Sequence, residues 1–252
     1  MFLFLASFII LNILKNNFLN SFENMAILTD SESFHQHQIW DVLVHQFVDD
    51  HGFVNYKGFK NNETEVDEYL NLLTQNPPQS NWAISQKLAY WINAYNAFTV
   101  KLIMNNYGIG DIRAIGLANQ QSPFKISFFK IGEEDFTLDK LEHEILRKEF
   151  DEPRIHFCLV CASFSCPNLR NEAYTEAKLE QQLTAAAKSF INDKTKNTIT
   201  TNKIEISKIF DWFSGDFKKK GSVIDFLNQY STVKISSKAK INYKDYNWSL
   251  NE

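Results

Sequence analysis

Apolar positions recur at helical spacing over much of the chain. In residues 34–48 (FHQHQIWDVLVHQFV), Ile39, Leu43, Phe47 and Val48 fall on one face and predict an amphipathic helix. The stretch DDHGFVNYKGF reads as a turn and a short strand. Residues 65–75 predict a second helix, ended by Pro77–Pro78. In residues 85–105, Leu88, Trp91, Ile92, Tyr95, Thr99, Leu102 and Ile103 cover one broad face. Ala94, Ala97, Val100 and Met104 make most of the remaining surface apolar too. A helix that is apolar nearly all round is buried. Asn93 and Asn96 lie on it, and a buried amide is costly unless bonded, so each requires a defined partner.

Further along, residues 123–136 (PFKISFFKIGEEDF) alternate around a glycine-centred turn and predict a hairpin. Thr137 is placed to cap a helix running to about Phe150. Residues 154–160 (RIHFCLV) read as an apolar strand, followed by the loop CASFSCPNLRNEAY. Thr175 begins another helix to about Asn192, and Ile199–Ile206 reads as a strand or hairpin. Ser207–Phe217 and Ser222–Tyr230 are short helices, the second with Ser222 and Asp225 as a capping box. The segment AKINYKDYNWSL predicts a strand that closes the chain. The sum predicts an α+β protein, a mostly helical single domain packed around a small mixed or antiparallel sheet.

Two features change this picture. Residues 2–14 (FLFLASFIILNIL) are almost wholly apolar. The run is shorter than the roughly 20 residues that span a bilayer, but it has the length of a signal-peptide core. Residues 1–30 therefore read as a signal peptide or membrane-anchor leader with its linker, and residues 31–252 as the folded domain. The expected location is exported, periplasmic or tethered through residues 2–14; it is cytoplasmic if Met25 is the true start. The formal net charge of −4 argues against a nucleic-acid binder, which needs basic surface. A small molecule or a peptide is the expected partner.

The candidate chemistry is concentrated between residues 137 and 168. Cys158, Cys161 and Cys166, all the cysteines of the chain, lie within nine residues, so they are not a disulfide framework. A local Cys161–Cys166 bridge or free thiols are both open. On the helix from Thr137, Leu138, Leu141 and Ile145 define the core-facing stripe. Glu142 falls inside that stripe and His143 near its edge. An inward carboxylate needs a partner, and His156 on the following strand is one. Cys161 begins the loop and can turn toward His156 or His143. A neighbouring imidazolium lowers a thiol's pKa. The catalytic set expected on this basis is Cys161, His156, His143 and Glu142, with amides of the Ala162–Cys166 loop as oxyanion donors. A pocket lined by Asn93, Asn96, Ser163 and Cys166 is the expected ligand-binding surface. A zinc site from His143, His156, Cys161 and Cys166 is chemically possible. The paired CxxC spacing is absent, so neither metal nor cofactor is expected. His35, His37, His45 and His51 read as surface residues.

The segments LAYWINAYNAFTVKLI (88–103), FTLDKLEHEILR (136–147) and RIHFCLVCASFSCPNLRNEAY (154–174) resemble the family known as domain of unknown function 547. DVLVHQFVDDHGFVNYKGF, SKIFDWFSGDF and INYKDYNWSL agree, so the resemblance covers roughly residues 38–250. It implies hallmark positions at Asn93, Asn96, Glu142, His143, His156, Cys161, Ser163, Cys166 and Pro167. It also implies export, since bacterial members often carry leaders. The order of elements is loosely similar to papain-like and transglutaminase-like thiol enzymes. Those enzymes carry the nucleophile at the start of the buried helix, where this chain has asparagines. Two functional expectations follow: a thiol-dependent hydrolase or acyltransferase, or a non-catalytic exported domain that binds a peptide or small ligand beside a Cys161–Cys166 bridge.

Overall fold

The first described helix, α1 (Gln38–Phe47), buries Ile39, Trp40, Leu43, Val44 and Phe47 along one face, as its apolar spacing requires. The computed structural model describes residues 37–252. The apolar run 2–14, the 30/31 boundary and His35 lie outside the described residues. After α1, a bridge between Val48 and Val54 turns the chain. The segment that follows is helical rather than extended: α2 (Tyr56–Asn61) starts where the Asn55 side chain accepts from the Gly58 amide at 2.7 Å. Next come α3 (Glu63–Gln75) and the long α4 (Ile84–Asn105). Sixteen of the residues of α4 are buried, including both asparagines. His37 departs from its surface assignment. It is 2% exposed, and its Nδ1 lies 2.9 Å from the Tyr69 hydroxyl.

The predicted hairpin is present as β1 (Phe129–Ile131) and β2 (Glu134–Phe136), antiparallel and joined through Gly132 at φ 58°. The Phe98 ring of α4 stacks on Phe129 at 3.8 Å. A second sheet has the order β3 (Thr198–Ile199), β4 (Lys203–Ile206), β5 (Lys240–Tyr243). Its first pair is antiparallel and its second parallel, so the small sheet is mixed. Four helices accompany it: α6 (Leu179–Asn192), α7 (Ile209–Trp212), α8 (Ser214–Phe217) and α9 (Val223–Tyr230). The core between them is aromatic, with Phe190, Phe210, Phe217 and Phe226 around Phe157 at ring separations of 5.2 to 6.0 Å. The fold is thus α+β, mostly helical and a single domain over the described residues. Among those residues no helix is long and apolar enough to cross a membrane.

Three local expectations change. Residues 154–160 are not a strand: Pro153–Phe157 form a 3-10 turn. Proline fixes φ at its first position, and the Glu152 carboxylate accepts from the Arg154 amide at 3.0 Å. The apolar run there reflects burial on all sides, which periodicity cannot tell from a strand. Thr175 makes no side-chain cap; α6 follows a short 3-10 turn, and the Thr175 amide donates to the Gln182 side chain. The helix capped by Thr137 is also irregular. It spans residues 138–149, here called α5, and its middle, Leu141–Leu146, is π-helical. Thr137 Oγ1 accepts from the Lys140 amide at 2.9 Å, as expected.

Candidate functional site

The loop after Phe157 is held from both ends by the two buried asparagines. Asn96 donates to the Cys158 carbonyl at 2.9 Å and accepts from the Val160 amide at 3.0 Å. Asn93 donates to the Tyr174 carbonyl at 2.7 Å and accepts from the Tyr174 amide at 3.0 Å. Each amide group thus clamps backbone in both directions. Neither side chain is part of the pocket wall described next, so the predicted partners exist and are backbone rather than ligand.

Between the clamps the chain turns sharply at Ala162, a fully buried residue at φ 61°. A side chain there is unusual in this left-handed region and marks strain. The turn aims Cys161 into a pocket of about 180 Å³. One wall is polar, with Tyr95, Asp139, Glu142 and His143. His156, Cys161 and Cys166 also border it. The remaining wall is aromatic, with Phe124, Trp212, Phe213, Tyr246 and Trp248. Ser163, 1% exposed, sits behind Cys161 with its hydroxyl 3.0 Å from the thiol sulfur.

The cysteines are free, the dithiol form of the two left open by the sequence. Cys161 and Cys166 nevertheless have their sulfurs 2.6 Å apart, and the Cys161 amide donates to Cys166 Sγ at 2.8 Å. The Tyr246 hydroxyl lies 3.3 Å from Cys161 Sγ and 3.2 Å from Ser163 Oγ. Burial alone pushes the Cys161 thiol up. Hydrogen bonds from Cys166, Ser163, Tyr246 and the Ser163 amide outweigh burial and bring it down to about 7. Cys166 goes the other way, raised by burial and by the neighbouring sulfur. One proton is therefore shared unequally: Cys161 takes the thiolate and Cys166 keeps the thiol. Cys158 stands apart, its thiol pushed up to about 12 by burial.

The expected imidazole contact is not made. Among the described residues, neither histidine hydrogen-bonds Cys161. His156 is stacked on Phe213 at 4.0 Å, and its Nε2 lies 2.8 Å from Asp216 Oδ2. Arg147 donates to the same carboxylate at 2.7 Å and to His143 Nδ1 at 2.9 Å. The His143 proton therefore sits on Nε2, 3.7 Å from Asp139. Burial lowers the pKa of both histidines, more than the carboxylates beside them raise it. Asp216 is held well below the usual carboxylate range by the His156 hydrogen bond and by Arg147. The result is a chain His143–Arg147–Asp216–His156 with neutral imidazoles. The π turn contributes to it. In it the Arg147 amide donates to the Glu142 carbonyl five residues back, closing the turn that carries both His143 and Arg147.

Glu142 accepts from the Tyr95 hydroxyl at 3.4 Å rather than orienting an imidazole. Burial, then the negative charge of Cys161, push its carboxyl up to about 7. Two acids that feel each other thus titrate in the same range. The expected oxyanion amides are mostly occupied: those of Phe164, Ser165 and Cys166 donate to Ser249, Asn247 and Ser163 carbonyls. Hydroxyl donors from Tyr246 and Ser163 stand in their place.

Glu142 has a measurable consequence for stability. Its folded pKa lies above the ordinary value near 4.5, so between these limits the folded chain holds a proton that the unfolded chain releases. Its contribution to stability is complete below about pH 4.5 and is lost as pH rises through 7. Glu142→Gln removes this loss. The variant gains up to about 3 kcal/mol over wild type at pH 8 and little at pH 4.5, read by denaturant unfolding at the two pH values. An equal difference at both would contradict the assignment.

Reasoning from sequence missed Tyr95, Arg147, Asp216, Tyr246 and the tryptophans of the aromatic wall. Asp216, Tyr246 and Trp248 all lie in flanking segments that carry the family resemblance, which was the available signal. Residues 79–191 match the family model described as a protein of unknown function, DUF547. No curated protein and no solved structure matches the chain.

Proposed function

We propose that this chain, whose residues 79–191 match the DUF547 family model with a description that names no activity, is a thiol-dependent hydrolase or acyltransferase with Cys161 as nucleophile. The observation that carries this reading is the Cys161 thiol. It lies at a pocket wall on a strained turn, and three side-chain hydrogen bonds hold it at about 7 against burial.

The thiolate attacks an acyl carbon and the C–S bond forms. The Tyr246 and Ser163 hydroxyls donate to the developing oxyanion. Burial keeps the Tyr246 hydroxyl protonated, so it remains a donor. Collapse breaks the bond to the amine or alcohol, which leaves with the proton of Glu142. Water, deprotonated by the Glu142 carboxylate, or another acceptor then releases the acyl group and frees the thiolate. The His143–Arg147–Asp216–His156 chain fixes the facing wall. The test is turnover of activated esters and amides by wild type and by Cys161→Ala, with wild-type turnover by the variant as the contrary result.

One observation favours a second reading, ligand binding without turnover. Trp212, Tyr246 and Trp248 form a contiguous aromatic face with ring separations of 4.6 to 5.9 Å, suited to a small molecule or an apolar peptide side chain. On that reading Cys161→Ala retains binding and no turnover exists to lose. The apolar run 2–14 supports an exported or membrane-tethered location for either activity.

A further inference from the structure

Acyl transfer needs one thiol, and this pocket presents two. Cys166 is 4% exposed, borders the same pocket as Cys161 and places its sulfur 2.6 Å from the other. The Cys161 amide donates to Cys166 Sγ, and the Cys166 amide donates to the Ser163 carbonyl at 3.0 Å. The loop therefore holds both sulfurs together by its own backbone. Cys158, in contrast, directs its thiol to the Arg154 carbonyl at 3.5 Å.

We propose that Cys161 and Cys166 form a reversible dithiol–disulfide couple that reduces hydroperoxides, with Cys161 taking the oxygen and Cys166 resolving the product. The two residues are built differently in the way such a pair requires. Cys161 carries the thiolate and opens to the pocket; Cys166 stays protonated and buried until its partner is oxidised. Lys196, 8% exposed, bonds the Phe164 carbonyl, and its cationic head is within electrostatic reach of both sulfurs. It favours negative charge on the pair.

Cys161 thiolate attacks the terminal oxygen of the hydroperoxide. The S–O bond forms, the O–O bond breaks, and sulfur gives up two electrons. The departing alkoxide or hydroxide, accepting a hydrogen bond from Tyr246, takes the proton of the Glu142 carboxyl, which borders the same pocket, and leaves as an alcohol or water. Cys166 then attacks the sulfur of the Cys161 sulfenic acid. The S–S bond forms, the S–O bond breaks, and the Cys166 proton leaves with hydroxide as water. An external dithiol returns both thiols by exchange. This chemistry stands apart from acyl transfer, which the closed couple would block.

The test uses the reduced full chain and hydrogen peroxide. After titration, remaining thiols are alkylated, and the tryptic peptide 155–170, which holds all three cysteines, is fragmented. Wild type is expected to lose two hydrogens between Cys161 and Cys166, to leave Cys158 alkylated, and to be restored by dithiothreitol. Its reaction with peroxide is expected to be roughly tenfold faster than that of free cysteine at pH 7, from its larger thiolate fraction. In Cys166→Ser, and in Cys166→Ala as a second variant, oxidation is expected to stop at a Cys161 sulfenic acid captured by dimedone. A bridge involving Cys158, bridges between chains alone, or a rate no faster than free cysteine would overturn the proposal. So would a folded Cys166 variant, judged by circular dichroism, that gives no dimedone adduct. Ester turnover measured on the same reduced sample separates failure of this couple from failure of the acyl-transfer reading.

Discussion

On the proposed acyl-transfer reading, Cys161→Ala is expected to lower turnover of activated esters and amides by about 10⁴-fold or more, to the level of the uncatalysed reaction plus whatever binding supplies. The magnitude follows from the arrangement of the site. Covalent catalysis stops when its nucleophile is removed, and Glu142 alone has no bond to form with the substrate. Folding is expected to change little, because Cys161 contributes hydrogen bonds to Ser163, Cys166 and Tyr246 rather than core packing. Two of those partners also bond each other, with Ser163 donating to the Tyr246 hydroxyl at 3.2 Å. Steady-state kinetics with unfolding curves in parallel give the two readouts. Turnover reduced less than about tenfold would identify a different nucleophile.

Asn96→Leu is the second large effect, and it acts on stability. Leucine keeps the branching at Cγ but offers no polar atom. The Cys158 carbonyl and Val160 amide, both buried, then lose the partner that Asn96 gives each. Each orphaned group costs about 1–3 kcal/mol, so the variant is expected to lose about 3 kcal/mol. For a domain of this size that is on the order of 10 °C in melting temperature. The effect on the site is larger than the stability figure suggests. Asn96 fixes the backbone that leads into Cys161, and misplacing a reacting atom by an ångström costs orders of magnitude in rate. The check is thermal unfolding with activity measured well below the melting transition. An unchanged melting temperature would mean that the clamp is dispensable.

Much of this architecture is legible in the sequence where the information is local. The all-round apolar pattern of residues 85–105 announces α4, and the two amides on it announce hidden partners. The alternation before Gly132 announces the hairpin, Thr137 the start of α5, and Ser222 with Asp225 the capping box of α9, which is present. The crowding of Glu142, His143, His156, Cys161 and Cys166 into a short interval announces the pocket they all border. What local pattern cannot supply is the identity of partners brought from far away. Asp216 reaches His156 across 60 residues and Tyr246 reaches Cys161 across 85. Neither pairing has a spacing that periodicity can detect. The consequence is chemical. Without Asp216 in view, His156 looks like the thiol's base; with it, His156 is already engaged and the thiolate depends on hydroxyl and thiol donors instead. The strand expected over 154–160 fails for a related reason. A run buried on all sides without a sheet neighbour satisfies its backbone through turns and the Asn96 side chain, and hydrophobicity alone is the same in both cases.

The central claim is that Cys161 is a thiolate held by hydrogen bonds near neutral pH. Site-resolved alkylation as a function of pH tests it most directly, on native reduced protein with fragmentation of the 155–170 peptide. The expected profile for Cys161 has a midpoint near 7, with labelling at pH 6 roughly tenfold faster than for an ordinary thiol and with Cys158 unlabelled. A Cys161 midpoint at or above the ordinary thiol range near 8.5, or Cys158 labelled first, would contradict it.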